Sequence, residues 1–456
     1  MASSKNLPAN KTLQYQLKTF LTDIFLSQSL VNPKLVVGFS GGLDSCVLIH
    51  LLAECSKTLP FQLQAHHVHH GLSHNADAWA DFCRDVCTKL NIPFTISKVE
   101  VNKNSGLGLE AAAREARYKA LLTSDADFIC LAHHQDDQAE TLLLQLARGA
   151  GVKGLAGMAG LNKKLLRPLL DVPRSALEAY AEQHQLAWIE DESNVDTKFD
   201  RNFMRHEVLP KLEKKYPAIR QTISRAAQHM AEADLLLDEL AEMDVRSCQL
   251  NLHNSQQIAL KPLAALSSTR VKNALRWWLA QHGLEGPSNA QLQQISQQLL
   301  HAKADANVKI KVSAGLILRR FHGRAYLVRN VPENAEDDAC STFSLVWQGE
   351  KMIILPDQSC LLFSEKQGEG IAMRHLETKE LTIRYRQGGE TIRPEQNRPT
   401  RRLNALLQTV SMPPWQRKRL PLLFLDADLA LLPDIAVDMC YQAKPDEKGL
   451  QVSWQR

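Results

Sequence analysis

VVGFSGGLDSCVLIHLL, residues 36–52, decides the fold. An apolar run gives way to two serines, two glycines and an aspartate, and an apolar segment with helical spacing follows. Gly41 and Gly42 permit positive φ and close backbone approach. A helix that starts there points unpaired N–H groups and the positive end of its dipole outward, which makes an anion site. Ser40 and Ser45 add hydroxyl donors on either side of Leu43. A phosphate loop of the G-x-x-x-x-G-K-[ST] kind carries a lysine for the terminal phosphates; this loop carries Asp44 instead. A bare carboxylate repels phosphate. A magnesium ion between them removes the conflict, because Mg²⁺ takes one or two carboxylates together with phosphate oxygens.

Outward from this loop the chain alternates. Apolar runs at Leu35–Phe39, Phe61–Val68, Phe94–Val101 and Phe128–Ala132 read as strands, and 43–55, 75–90, 109–122 and 136–147 have helical periodicity. That alternation predicts an α/β fold, a parallel doubly wound sheet whose ligands bind at the carboxyl ends of the strands. A helix is expected from Arg174 after Pro173. Another is expected in TKFDRNFMRHEVLP, opened by a Thr197–Asp200 capping box and closed by Pro210. Long helical patterns cover 217–245, a helix-rich region with a few strands reaches about 330, and the tail is β-rich. The polar stretch 330–342 reads as a linker. The expected domains are 1–216, a helical linker 217–245, 246–331, a linker and the start of the β-rich region at 332–380, and 381–456.

Net charge is only +4 over 456 residues, so a nucleic-acid partner has to be sought in local patches. One such patch is residues 381–420. It holds Arg384, Arg386, Arg393, Arg398, Arg401, Arg402, Arg417, Lys418 and Arg419 against Glu390 and Glu395, a local excess larger than that of the whole chain. Tyr385 and Trp415 are interleaved, and basic residues with aromatics favour a nucleic-acid surface. No secretory signal or membrane span is read, and nine scattered cysteines without a CxxC suit a reducing, cytoplasmic setting.

Three further clusters bear on chemistry. In LAHHQDDQAETLLLQLARGAG, Asp136, Asp137 and Glu140 fall in the first turns of a helix after a strand, next to His133. One acid there complements the helix dipole; three beside a phosphate site suit a metal and a cationic substrate. AHHVHHGLSH holds five histidines in residues 66–74. Strand alternation puts His67 and His69 on one face and His66 and His70 on the other, which favours phosphate, adenosine or loop hydrogen bonding over zinc. On a helical wheel from Leu109, Arg117 lies about 80° away and Arg114 about 140°, so Arg117 borders the buried face. Arg201 and Arg205, four apart, share a face suited to phosphate or RNA contact.

The motif SGGLDS resembles the PP-loop of the N-type ATP pyrophosphatases. LAHHQDDQAETLLLQLARGAG, DESNVDTKFDRNFMRHEVLP and the tail YRQGGETIRP…RRLNALLQ…PPW narrow the resemblance to the long form of the tRNA(Ile)-lysidine synthetases. Two departures are Glu192, where many members have proline, and RRLNALLQ, where relatives are richer in lysine. The resemblance implies a parallel five-stranded sheet, similar to adenine nucleotide alpha hydrolases, followed by a helix-rich and a small β-rich domain, both binding tRNA. It implies a ligase that adenylates the wobble cytidine of a CAU-anticodon isoleucine tRNA with ATP and lets L-lysine displace AMP. Carried over, Ser40, Gly41, Gly42, Leu43, Asp44 and Ser45 bind ATP. Asp44, with Asp137, holds Mg²⁺. Asp137 and Glu140 bind lysine; Arg117 and Arg205 steady the reacting nucleotide; Asp136 and His133 are further candidates. Arg384, Arg386, Arg393, Arg401, Arg402, Arg417 and Lys418 contact tRNA. Oligomeric state is left open, a homodimer included.

The rivals are a tRNA thiolation enzyme of the same fold, a glutamine-dependent amidotransferase and a non-catalytic RNA-binding protein with a relic loop. An amidotransferase needs a partner or an N-terminal nucleophilic cysteine, and residue 2 is Ala2. Thiolation needs persulfide or cluster cysteines near the loop. Serine in place of each cysteine is therefore expected to leave activity intact in an assay of lysine incorporation. Loss at any one of them speaks for a sulfur relay.

Overall fold

The computed structural model describes residues 9–71, 73–101, 108–192, 196–249, 256–284, 286–303, 306, 308–313, 315–329, 343–394 and 399–455. The segment read as a linker, 330–342, lies outside the described residues, as do Glu395 and Arg398. The chain forms two compact units, Met1–Leu237 and Asp238–Arg456.

In the first unit the strands are β1 (Lys34–Gly38), β2 (Gln62–His69), β3 (Phe94–Lys98), β4 (Phe128–Cys130), β5 (Leu161–Asn162) and β6 (Leu165–Leu166), in the order β3-β2-β1-β4-β6-β5. Five run parallel, as expected, and β5 adds an antiparallel edge. The helices are α1 (Ala9–Ser27), α2 (Leu43–Ser56), α3 (Ala76–Lys89), α4 (Leu109–Leu122), α5 (Gln135–Ala147), α6 (Val152–Leu155), α7 (Arg174–Gln183), α8 (Asp200–Phe203), α9 (Leu209–Lys215) and α10 (Ile219–Cys248), which runs on into the second unit. Alternate strand residues face opposite layers. Leu35, Val37, Ala65, Phe128, Cys130 and Leu166 pack with residues of α1, α2, α3 and α7. Ile129 and Leu131 pack with Leu121 and Tyr118 of α4. Covered on both faces, β1 needs its unbroken apolar run.

The sheet order makes β1/β4 the switch point. From β1 the chain moves outward to β2 and β3; it then returns to β4 on the other side. The loops after β1 and β4 therefore open side by side, and they carry Ser40–Ser45 and His133–Asp137.

The segment expected as one capped helix is built differently. Phe199 is the N-cap of α8 and makes no side-chain cap bond, so the Thr197–Asp200 box does not form. Asn202 Nδ2 instead donates to the Asp196 carbonyl at 2.9 Å. Residues Met204–Val208 form a π-turn, and Pro210 falls in the first turn of α9 rather than closing the helix. A proline there needs no N–H donor, and the wide turn before it absorbs its ring.

In the second unit, helices Leu260–Ala264, Ser268–Gln281 and Asn289–His301 pack around Trp278 against an antiparallel sheet of Gln257–Ala259, Lys309–Lys311, Leu316–Phe321 and Arg324–Arg329. Ser288 and Gln291 form a capping box on the last helix. The β-rich body is described from Phe343: Ser344–Val346 pairs with Leu381–Tyr385, and Cys360–Gln367 pairs with Lys448–Gln455.

The interleaved aromatics of the basic tail are structural. Tyr385 is 2% exposed and packs against Phe343. Trp415 lies edge-on to Phe321 and Tyr326, with the Arg319 guanidinium over its ring at 5.0 Å. Both aromatics of the basic stretch thus take part in packing within this unit. Trp415→Ala is expected to destabilise this unit by about 2 kcal/mol, visible as an earlier denaturant midpoint in the unfolding of the full chain.

Candidate active site

At the end of β1, Gly41 has φ +86°, a conformation costly for any L side chain. A Cβ there meets Ile189 Cδ1 at 2.8 Å and Cys83 Sγ at 3.0 Å, so the turn requires glycine and the space is tight as well. Gly42 is the N-cap of α2 and supplies no side-chain cap, which leaves the helix terminus open to an anion. Ser45 Oγ donates to the Gly42 carbonyl at 2.9 Å and accepts from the Gly41 N–H at 3.1 Å; Ser40 Oγ lies 3.1 Å from it. These bonds hold the loop in its turn. Asp44 Oδ1 is buried with no hydrogen-bond partner, and its Oδ2 is 3.6 Å from His134 Nε2.

His134, 1% exposed, caps α5. Its Nδ1 accepts from the Asp136 N–H at 3.2 Å, which places its proton on Nε2, facing Asp44 and Asp137. Burial opposes its charge, but Asp137, Asp44 and Asp136 outweigh burial and raise its pKa. Sequence reasoning named the neighbour, His133, whose pKa is pushed down to about 3 by burial, against Asp137 and with Arg114, Arg201 and Arg167 adding to the fall. Only the capping geometry separates these two histidines.

The acids of α5 are gathered as expected, and arginines hold them. Glu140, fully buried, accepts from Arg201 Nε at 2.7 Å and from Arg205 Nε at 2.6 Å. Asp137 Oδ1 accepts from Arg201 Nη2 at 2.8 Å and Arg205 Nη2 at 3.4 Å, and its Oδ2 accepts from the His134 N–H at 2.9 Å. Burial raises the Asp137 pKa, but His134, Arg201 and His133 overcome it and hold the carboxyl well below the ordinary range. Asp136 accepts from Arg220 Nη1 at 2.7 Å and from the Arg174 N–H at 3.2 Å. Ala139 and Leu142 of α5 pack with Leu209, Ile223 and Ala227, which brings the arginine-bearing segment onto the acids. A cavity of about 270 Å³ opens here, lined by His134, Asp136, Glu140, Arg174, Glu178, Arg205, His206 and Arg220.

Arg117 stands among charged neighbours that include Asp137, Arg114 and Arg201, and burial with the two arginines lowers its pKa. His67 and His69 face α3, where His67 is 3.6 Å from Cys83 Sγ and His69 is 3.2 Å from Asp77. His66 bonds Ser97 on β3. Burial, Arg117, His67 and His69 push His70 down to about 4. Cys46, Cys83 and Cys87 are buried and their pKa values are raised mainly by burial, to about 12 for Cys46 and Cys87, which makes them poor thiolate nucleophiles.

In the tail, Arg384 lies over the Phe424 ring and Arg386 donates to Asn404. Arg393 bonds Asp438 through its backbone N–H, and Arg417 Nε donates to the Met412 carbonyl. Arg401 and Arg402 form a short strand paired with Thr391–Ile392; Arg402 and Lys418 are exposed. Arg201, Arg220 and Arg174 were not assigned to the site from sequence. The four-residue spacing of Arg201 and Arg205 was a signal for the first; nothing local marked the other two.

Comparison with known proteins gives a consistent result. The PP-loop domain matches residues 9–212, the TilS substrate binding domain 259–326 and the TilS substrate C-terminal domain 381–454. A tRNA(Ile)-lysidine synthase of Nitrosomonas europaea is 39% identical, with 96% of each chain covered. Those of Coxiella burnetii (38%; 94% of this chain, 95% of the relative) and Chromobacterium violaceum (39%; 90% and 93%) are similar. The chain belongs to the tRNA(Ile)-lysidine synthase family. The loop, the acids and the arginines described above all lie within the stretch that matches the PP-loop domain, apart from Arg220 on α10. No described helix is long and apolar enough to cross a membrane.

His133 and His70 fix a pH response. Both bind a proton near pH 6.5 in the unfolded chain and only near pH 3 and 4 in the folded one, so stability falls as pH drops from about 6.5 toward 4. His134 has its pKa raised and contributes no slope in that window. Denaturant unfolding across this range is expected to show the fall, and His133→Gln is expected to flatten it.

Proposed function

We propose that this chain uses ATP to join L-lysine to the wobble cytidine of the CAU-anticodon isoleucine tRNA, releasing AMP and pyrophosphate in the cytoplasm. The product, lysidine, pairs with A rather than G and moves the tRNA's charging identity from methionine to isoleucine. One observation carries the reading. An uncapped helix terminus fit for phosphate meets, at the sheet's switch point, a carboxylate with a buried and unpartnered oxygen.

The N–H groups and hydroxyls of Ser40–Ser45 hold the phosphates. Asp44 Oδ1 suits a ligand position for Mg²⁺. Bound there, the ion neutralises charge on the phosphates beside the carboxylate. Asp137 has both oxygens engaged and suits a metal less well. Adenylation joins the cytosine carbonyl oxygen to the α-phosphorus and expels pyrophosphate; the lysine Nε then attacks the ring carbon and AMP leaves with that oxygen. A lysine amine, with a reference pKa near ~10.4, arrives as a cation and must lose a proton before attack. Glu140 and Asp137 are the acids for that cation. Guanidiniums now occupy them, so the ammonium exchanges with or joins Arg201 and Arg205, entering through the cavity that Glu140 and Asp136 line. Arg117 and Arg205 steady the nucleotide. The domains at 246–331 and 381–456 grip the tRNA, with the exposed Arg402 and Lys418 at the tail's surface.

Buried, high-pKa cysteines give the thiolation reading no nucleophile near the loop. Labelled lysine is expected to enter a cognate transcript with ATP and the full chain. Asp44→Ala is expected to cut lysine-dependent pyrophosphate release on the order of 100-fold or more. A wild-type chain that incorporates no lysine contradicts the proposal.

A further inference from the structure

Three arginines line the cavity beside Asp44 and His134, and their engagement differs. Arg220 spends all three guanidinium nitrogens, on Glu213 through Nε and Nη2 and on Asp136 through Nη1. Arg205 turns Nε and Nη2 onto Glu140. Arg174 has one side-chain partner among the described residues: its Nε donates to Glu178 Oε1 at 3.0 Å, four residues along α7. No described residue bonds its Nη1 and Nη2 edge. The backbone N–H of Arg174 donates to Asp136 Oδ1, which fixes the start of α7 against the switch-point acids.

We propose that Arg174 is an anion-binding residue of this site, holding the phosphates that ATP gives up, with Glu178 setting its orientation. The proposal rests on the pyrophosphate-releasing reading above. A guanidinium fork fits two phosphate oxygens, and one that is oriented in advance loses little entropy on binding. Its placement is electrostatically tied to the loop: burial opposes its charge, and Asp44, Glu178 and Asp136 together outweigh burial and support it. Asp44 and Arg174 then flank the same anion from two sides, one through a cation and the other directly. The cavity's other possible anion is the carboxylate of lysine, and the test separates the two.

Equilibrium binding of magnesium pyrophosphate to the full chain is measured by calorimetry for wild type, Arg174→Ala, Arg174→Lys and Glu178→Gln. The Arg174 side chain is 39% exposed and its structural bond is from the backbone, so these variants keep the fold. A lost charged hydrogen bond predicts roughly tenfold weaker binding for Arg174→Ala. Arg174→Lys recovers part of it, and Glu178→Gln loses less than Arg174→Ala does. In the tRNA assay the KM for ATP rises with the same ranking while the KM for lysine stays level. Equal pyrophosphate affinity in all four proteins overturns the proposal, as does a rise confined to the KM for lysine, which assigns Arg174 to the amino acid. Tight pyrophosphate binding that needs Arg174, in a wild-type chain that adds no lysine, removes the lysidine reading and leaves the phosphate contact standing.

Discussion

Asp44 imposes the constraint around which the first unit is arranged. It sits in the first turn of α2, at a terminus whose open N–H groups suit phosphate, with one carboxylate oxygen buried and unpartnered. A carboxylate there gains from the helix dipole, so the free protein tolerates it. Once phosphate arrives, like charges meet at the helix terminus, and a cation between them makes the arrangement favourable. In the structure as it stands the N–H at Nε2 of His134 faces Asp44 at 3.6 Å.

The second layer of charge follows from burial. Glu140 is wholly inside the protein, and an isolated carboxylate there is prohibitively costly. Arg201 and Arg205 make it tolerable, and they come from a segment more than sixty positions further along the chain. That dependence ties α8, the π-turn and α9 to α5. Removing one partner of such a pair leaves an uncompensated charge, typically about 3–5 kcal/mol. The same arginines that secure the fold occupy the acids that suit a cationic substrate.

Much of this was legible in the residues. β1 and the loop after it could be read because a doubly buried strand leaves an unbroken apolar run and a phosphate turn needs its glycines. Four of the five parallel strands and the helices between them followed from the same alternation; the two-residue β6 is too short to leave a pattern, and a fifth strand was expected only from the family resemblance. The acids of α5 were legible as a cluster, but their partners were not, because Arg220 and Arg174 meet Asp136 through tertiary contacts that no local spacing encodes. Pro210 misled because a proline inside a helical pattern normally ends it, and the π-turn that accommodates it has no simple sequence mark. Tyr385 and Trp415 show a related limit. Aromatics among arginines suit RNA and also suit a buried junction, and composition does not tell the two apart.

The direct test of this charge arrangement is a crystal structure of the chain with magnesium and a non-hydrolysable ATP analogue. The account predicts a metal ion about 2.0–2.1 Å from an Asp44 oxygen, sharing its other ligands with the phosphates that lie over Gly41 and Gly42. A nucleotide bound with Asp44 far from every phosphate oxygen and from any metal would contradict it.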